Sequence, residues 1–340
     1  MNKKRIAILG ASGYTAGELA NILLRHPGAE IVAATSRKDE ALTLADHHPQ
    51  LRTRIDLACE PFDPCELVKK RIDFAFSCLP HGASAEAVQE LIGKGISVVD
   101  LSADYRIRSA EEQRRWYGSG HHDPQNLAHA VYGLPELELE RISKARLVAN
   151  PGCYPQTVIL AMAPLIKEGL IDPESIVADC KSGVSGAGRT PKLATHFPEC
   201  NESVAAYQIG IHRHTPEMEQ ALNAVGSVKT RILFIPHLIP MDRGIFSTIV
   251  ANPVAKINES NLLGLFKEFF ARDPFVRIVT SPPGTKQTLH SNFVDIFPVI
   301  ARDRFVVLAC LDNLVRGASG VAVQNFNIMN GWDQRIGLLP

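Results

Sequence analysis

A two-part α/β fold is what this chain of 340 residues predicts, on three observations. Its first half alternates apolar runs with helix-like patterns. A glycine-rich turn follows the first apolar run directly. From Ile176 to Leu311 the apolar runs instead succeed one another, with a single clear helical pattern among them. Alternation of the two periods marks a parallel sheet covered by helices, and successive strands mark antiparallel pairing. The length also exceeds what one ordinary hydrophobic core sustains.

Lys4 to Leu9 reads as a buried strand. It runs into Gly10-Ala11-Ser12-Gly13-Tyr14-Thr15-Ala16-Gly17, and a helix with Leu19, Ile22 and Leu23 on one stripe continues to His26-Pro27-Gly28. Ile31 to Thr35 is the next strand. This order sets the glycine turn where N–H groups at a helix start can meet a pyrophosphate. Dinucleotide contacts are therefore expected at Gly10, Ser12, Gly13, Tyr14, Thr15 and Ala16. An NAD site would carry an acidic residue after the second strand, for the ribose 2′-hydroxyl. Here the chain reads Thr35-Ser36-Arg37-Lys38, which suits a 2′-phosphate, so NADP is the expected cofactor, with Ser36 and Arg37 among its contacts. Ile72–Cys78 and Ile96–Leu101 are further strands, with a helix over Ala85–Ile92 between them. Ligands of open α/β sheets lie beyond the carboxyl ends of the strands, which brings Pro80, His81 and the segment Ser102–Arg106 toward the cofactor.

Leu147-Val148-Ala149 precedes Asn150-Pro151-Gly152-Cys153-Tyr154-Pro155, and a helical pattern covers Thr157 to Ile166. One thiol thus stands between a strand's end and a helix's start, where amide N–H groups and the helix dipole favour a thiolate. Pro155 suits a first helical turn, and Gly152 leaves the sulfur uncrowded. Ile176–Cys180 is a strand ending in the small-residue loop Lys181–Arg189, whose amides are expected to form an anion-binding nest, with Arg189 adding a charged fork. If Ile209–Glu217 is extended, His212 and His214 point to one side and Arg213 to the other. Strands follow at Arg231–Ile239, Ile245–Val250, Phe293–Ile300 and Phe305–Leu311, with a helix over Leu262–Ala271. A last helix opens after Asp312, runs to Met329, and could pack back on the first domain. The expected architecture is a Rossmann-type dinucleotide-binding domain over 1–150 and 313–340, plus an α+β catalytic and dimerisation domain, with a mostly antiparallel sheet, over 151–312.

Acidic and basic residues number 36 each, which argues against a general nucleic-acid or membrane-surface binder. The start, Met1 to Leu9, lacks a signal-peptide core, and no apolar stretch approaches the ~20 residues that span a bilayer. The seven cysteines are scattered without a CxxC pair, as in a reducing cytoplasm. His212 and His214 find no third ligand at metal-binding spacing, so no metal is expected. His47-His48 and His121-His122 read as solvated loops, and the stripe Leu262, Leu265, Phe266, Phe269 as core or subunit contact.

A dinucleotide site, an activatable cysteine, paired histidines and an anion nest point to one chemistry. A thiolate attacks an activated acyl group, a reduced nicotinamide delivers hydride to the thioester, and a histidine moves the proton. The segments Gly10–Leu19, Leu79–Ser84, Asp100–Arg106, Asn150–Pro155, Ser182–Arg189, His212–Glu217 and Asn313–Asn327 carry a family resemblance. Over essentially its whole length the chain resembles the N-acetyl-γ-glutamyl-phosphate reductases, of the aspartate-semialdehyde dehydrogenase superfamily. The resemblance implies Cys153 as nucleophile and a histidine base within His212-Arg213-His214; His214 is preferred because Glu217 follows it, and His212 stays open. It further implies cofactor contacts at Ser185, Gly186 and Asn313, substrate contacts at Arg106, Ser182 and Arg189, a small-molecule acyl phosphate with phosphate as product, and homodimers or homotetramers. Two departures stand out. The family usually reads Gly-Ala where this chain has Ala16-Gly17, a swap expected to preserve volume. Gln156 stands where a small residue such as threonine is common.

Two rival readings remain. The same machinery could act on carrier-linked aminoadipyl phosphate or aspartyl phosphate. A non-catalytic NADP sensor would need the glycine loop but neither the cysteine nor the histidine pair. A serine hydrolase is disfavoured, since Ala187 breaks the nucleophile-elbow spacing around Ser185.

Overall fold

The opening run forms β1 (Lys4–Leu9), and after the glycine turn come α1 (Tyr14–Leu23), β2 (Ala29–Thr35), α2 (Leu44–His47), β3 (Cys59–Glu60), α3 (Pro64–Lys69) and β4 (Phe74–Ser77). The first unit continues through α4 (Ser84–Gly93), β5 (Ser97–Asp100), α5 (Ala110–Tyr117), α6 (Pro124–Leu127), β6 (Val131–Tyr132), α7 (Pro135–Ile142) and β7 (Leu147–Ala149). The computed structural model describes residues 2–36, 42–118 and 120–339. Its first sheet runs β3-β2-β1-β4-β5-β7-β6, and every pairing is parallel. Burial on both faces explains why these strands are apolar throughout rather than alternating, as in Ile6-Ala7-Ile8-Leu9. Strand order reverses between β1 and β4, and the crevice at such a reversal is where ligands of these sheets bind. Gly10 turns there with φ +76°, and a Cβ on it would lie 2.7 Å from the Cys78 carbonyl oxygen, so only glycine fits.

The second unit holds α8 (Cys153–Lys167), β8 (Ile176–Ser182), α9 (Phe197–Cys200), β9 (Ala205–Ala206), α10 (Thr215–Gly226), β10 (Ile232–Leu238), β11 (Ile245–Ala251), α11 (Glu259–Phe269), β12 (Val276–Ile278), β13 (Val294–Ala301) and β14 (Arg304–Leu311). Its sheet runs β12-β13-β14-β11-β8-β10-β9. The sheet is mixed: β8 pairs parallel with β10 and β12 with β13, and the other pairings are antiparallel. Along β8, Ile176, Ala178, Cys180 and Ser182 are buried while Val177, Asp179 and Lys181 are partly exposed. The buried face of the sheet lies against α8, whose residues Val158–Leu165 are fully buried. The opposite face is also largely apolar, with Phe246, Val250, Phe297, Val306 and Leu308 half-exposed.

The units divide at 151/152 and 317/318. The later crossing lies five residues beyond the expected 312/313, for a reason in the hydrogen bonds. Asp312 accepts from the His290, Leu314 and Val315 amides, and Asn313 accepts from the Gly244 amide and donates to Ser185, so this stretch is tied to the second unit. The chain then forms α12 (Gly320–Met329) within the first unit. Phe326 packs edge-on against Phe74 at 4.8 Å and against Trp332 at 5.3 Å. Buried His26 donates from Nε2 to Asn327 at 2.8 Å, and the Gly28 amide donates to its Nδ1.

Several expectations need correction. His47 and His48 are buried, not solvated, and His121 is half-buried with its ring on Tyr105 at 4.8 Å. The Ala16-Gly17 swap does more than preserve volume: a Cβ on Gly17 would overlap the imidazole of His48.

Phe326→Ala removes the ring that ties α12 to the first sheet. It is expected to cost about 3–5 kcal/mol, read as a lower midpoint in denaturant.

Candidate active site

Helix α8 begins at Cys153 itself, four residues before the apolar pattern that predicts it. Gly152 is its N-cap, extended at φ −67° and ψ 156°, with no side-chain cap. The thiol therefore stands in the first turn, at the positive end of a helix of 15 residues. A buried carboxylate fixes the peptide before it: Glu217 Oε1 accepts the Gly152 amide at 2.7 Å. Behind the thiol the chain makes one π-helical turn, Val315–Ser319. Gly317 in that turn comes so near that a Cβ on it would lie 2.8 Å from the Cys153 Cβ. Turns of this type recur at functional sites.

The His-Arg-His segment is a turn leading into α10, not an extended strand. Pro216, near the helix start, has no amide to pair. The turn still brings the histidines together, with ring centroids 4.7 Å apart, each 6.0 Å from the ring of Tyr154. The His214 amide donates to His212 Nδ1 at 3.1 Å, so His212 carries its proton on Nε2. Burial, helped by the Arg213 charge, pushes His212 down to about 4. His212 is therefore a neutral donor near pH 7. Tyr207 and Tyr154, which the sequence left unmarked, complete the cluster. Tyr207 donates to Tyr154, which donates to the His237 carbonyl, and burial pushes Tyr207 up to about 12.

The loop after β8 does not form the expected anion nest. The amides of Gly183, Val184, Ser185, Gly186 and Gly188 all donate to carbonyls, three of them on the turn Met241–Gly244. Ser182 is buried and donates to the Gly183 carbonyl. Ser185 donates to the Asp242 carbonyl at 2.6 Å and accepts from Asn313 at 3.0 Å, and Gly186 has room only for hydrogen beside Ser182 Oγ. These residues shape one rigid corner, with Arg189 exposed at its rim.

In the first unit, Gly10, Ser12, Gly13, Tyr14, Thr15 and Ala16 lie between β1 and α1 as expected. Gly13 is the N-cap of α1, without a side-chain cap and without acidic residues in the first turn. The Ala11 amide donates to the Thr35 carbonyl, which sets the end of β2 and Ser36 beside this turn. Arg37 lies outside the described residues. Pro80 and His81 are exposed after β4, but His81 is turned onto Asp104 at 2.6 Å and Tyr117 at 4.4 Å. Asp104 also accepts the Gly82, Ser84 and Ala85 amides and so closes the start of α4; burial opposes its ionisation, and these bonds with that of His81 outweigh it, holding the carboxyl below its usual range. Arg106 is buried and places Nε on the Asn150 carbonyl at 2.7 Å and Nη2 on the Leu101 carbonyl, holding the strand ends before Cys153.

Burial pushes Cys59 up to about 11 and both Cys180 and Cys310 up to about 12, and it raises Cys78 further still. These thiols are kept protonated. Cys65 and Cys200 sit in surface segments. Among the described residues no cluster of His, Cys, Asp or Glu could hold a metal ion, and no helix is long and apolar enough to cross a membrane.

Residues 5–145 match the semialdehyde dehydrogenase NAD binding domain, and residues 153–313 match the semialdehyde dehydrogenase dimerisation domain. The N-acetyl-gamma-glutamyl-phosphate reductase of Rhodopirellula baltica is 45% identical over 340 residues, covering 98% of each chain. That of Dehalococcoides mccartyi is 44% identical, covering 99% of this chain and 98% of its own. Aspartate semialdehyde dehydrogenase II of Vibrio cholerae, complexed with ASA, has a similar fold, with TM-score 0.73 at 15% identity over 97% of this chain and 99% of that one. Aspartate semialdehyde dehydrogenase with NADP from Candida albicans gives 0.73 at 14% identity, covering 98% and 100%. At such identities the likeness is one of fold.

The His212 ring is expected to stay neutral as pH falls from 6.5 to about 4, which an NMR imidazole titration reads directly. The unfolded chain takes up a proton in that window that the native state refuses. Stability from this group is therefore full above pH 6.5 and declines toward pH 4, and His212→Asn should flatten that part of the Tm profile.

Proposed function

Because this chain belongs to the N-acetyl-γ-glutamyl-phosphate reductase family, we propose that it reduces N-acetyl-γ-glutamyl phosphate to N-acetyl-glutamate 5-semialdehyde, releasing phosphate, in arginine biosynthesis. The observation that carries this reading is Cys153 in the first turn of α8, with its N-cap peptide held by Glu217 and the histidine pair against the neighbouring Tyr154 ring.

The Cys153 thiolate attacks the acyl carbon, a carbon–sulfur bond forms, and the bond to phosphate breaks. His214 accepts the thiol proton at the outset. His212, neutral and protonated on Nε2, donates a hydrogen bond to the carbonyl oxygen as it gains charge. NADPH, when bound, supplies the hydride that reduces the thioester. The tetrahedral adduct then collapses, the aldehyde leaves, and the thiolate returns. Glu217 and Arg106 act as positioning residues through the Gly152 amide and the Asn150 carbonyl. With the loop amides already paired, Arg189 is assigned to the substrate's anionic groups, and Ser182 to the wall beside them.

The residues of the first unit fit a dinucleotide. Gly10 makes the left-handed turn at the end of β1, packed on the Cys78 carbonyl, and α1 begins on an uncapped glycine without acidic residues in its first turn, which suits a pyrophosphate. Ser36 and Arg37 are assigned to the 2′-phosphate, Pro80 and His81 to the cofactor's flank, and Ser185, Gly186 and Asn313 to its nicotinamide end. The seven cysteines, all free, suit a reducing cytoplasm. The half-exposed apolar face of the second sheet suits a homodimer or a dimer of dimers. A sensor would leave the cysteine and histidine cluster without a purpose, and the near-full-length relatives favour the acetylated substrate over the other acyl phosphates.

Cys153→Ser is expected to lower turnover by about 10³-fold or more while leaving NADPH binding unchanged. Acyl adduct on Cys153 should be caught by mass spectrometry of quenched turnover; near-normal turnover of the serine variant would remove covalent catalysis. Paired Phe246→Asp and Leu308→Asp substitutions should shift the particle to a monomer in light scattering, and an unchanged mass would place the interface elsewhere.

A further inference from the structure

His48 has no part in the reaction just described, yet it is buried at 4% exposure beneath the glycine turn. Its Nε2 donates to the Ala11 carbonyl at 2.7 Å, and the Ala11 amide donates to the Thr35 carbonyl at 2.8 Å. Ala11 is thus clamped on both sides. In a planar trans peptide the carbonyl and the following N–H point in opposite directions. Holding the Ala11 carbonyl on His48 therefore aims the Ser12 N–H away from the imidazole, adding a side-chain restraint to the turn's own Gly13-to-Gly10 hydrogen bond.

The imidazole is itself held. The His48 amide donates to the Leu44 carbonyl at 3.0 Å, and its carbonyl accepts the Leu51 amide at 2.8 Å. Helix α2 ahead of it opens with a capping box between Thr43 and Asp46. Arg54 donates to Asn21 on α1 at 2.6 Å. Residues 42–60 thus form a strap along α1, fastened by His48 at one point and Arg54 at another. Gly17, on the face of α1 under the strap, leaves the space the ring fills.

We propose that His48 is a positioning residue for the dinucleotide, setting the Ala11–Ser12 peptide that meets the pyrophosphate, and that glycine at position 17 exists to admit its ring. The proposal rests on the reading of the Gly10–Ser36 region as the cofactor site.

The test measures NADPH binding to the full chain by nicotinamide fluorescence, with KM for the acyl phosphate and Tm alongside. Glutamine can present its Nε2 where the imidazole presents its own. His48→Ala and Gly17→Ala should each weaken NADPH about tenfold, and His48→Gln should stay within about twofold of the parent, with KM for the acyl phosphate unchanged throughout. Parent-like NADPH affinity in His48→Ala, or equal losses in the alanine and glutamine variants, overturns the proposal. Should His48→Ala fail to fold, a folded Gly17→Ala with parent affinity overturns it equally. A parent chain that does not bind NADPH instead refutes the cofactor assignment, and the positioning role falls with it.

Discussion

A hydrogen bond from the Gly152 amide to a buried carboxylate organises the second unit around its thiol. Glu217 lies in the first turn of α10 and accepts a donor from the first residue of α8's cap, so one anion serves two helix starts. Buried carboxylates are costly unless they gain such partners. The arrangement has a consequence for Cys153. The carboxylate fixes the peptide that aims the Cα–Cβ bond, and Gly317 closes the other side, so the thiol is positioned by backbone rather than by a long side chain. Rigid first-turn geometry of this kind is what an attacking atom needs.

What was legible in the sequence follows from physical range. Strands such as Lys4–Leu9 and Arg304–Leu311, and helices such as Leu262–Ala271, are written in their own periodicity. The two-residue strands at Cys59 and Val131 exist only because neighbours offer an edge, and no local pattern encodes them. Cys153 was legible because strand end, glycine and helix start are consecutive. Glu217, which holds the Gly152 amide, is 65 residues from it, and that bond depends on how α10 packs on α8. The reason for preferring His214 was the nearness of Glu217 in sequence, whereas the carboxylate reaches the other helix.

The loop after β8 was misread for the same reason. Its small residues at Gly183, Ser185, Gly186 and Gly188 look like a nest because glycine frees the amides to converge. The turn at Met241–Gly244 supplies carbonyls that claim them first, and a sequence cannot show which carbonyls will arrive. His48 was misread because polar, proline-flanked dipeptides are usually solvated. The Ala16-Gly17 order was visible, and only the fold shows that the missing methyl at 17 and the buried ring at 48 occupy one space.

Helix starts decide where anions can sit in this chain. Asp63 closes the start of α3, Asp104 that of α4, Ser109 that of α5 and Asn258 that of α11, each with a side-chain acceptor on the orphan amides. Among the described α-helices, α1 and α8 are the two with glycine N-caps, and neither has a side-chain cap or an acidic residue in its first turn. The amides and dipole at each of these starts favour an anion. One begins the unit that matches an NAD binding domain and the other begins with Cys153. On the proposed function, a diphosphate and a thiolate ask the same thing of a helix, and glycine caps supply it in both places without adding a competing acceptor. On that reading, one requirement accounts for two unrelated stretches, Gly10–Gly13 and Pro151–Cys153, each placing a glycine immediately before the first helical residue.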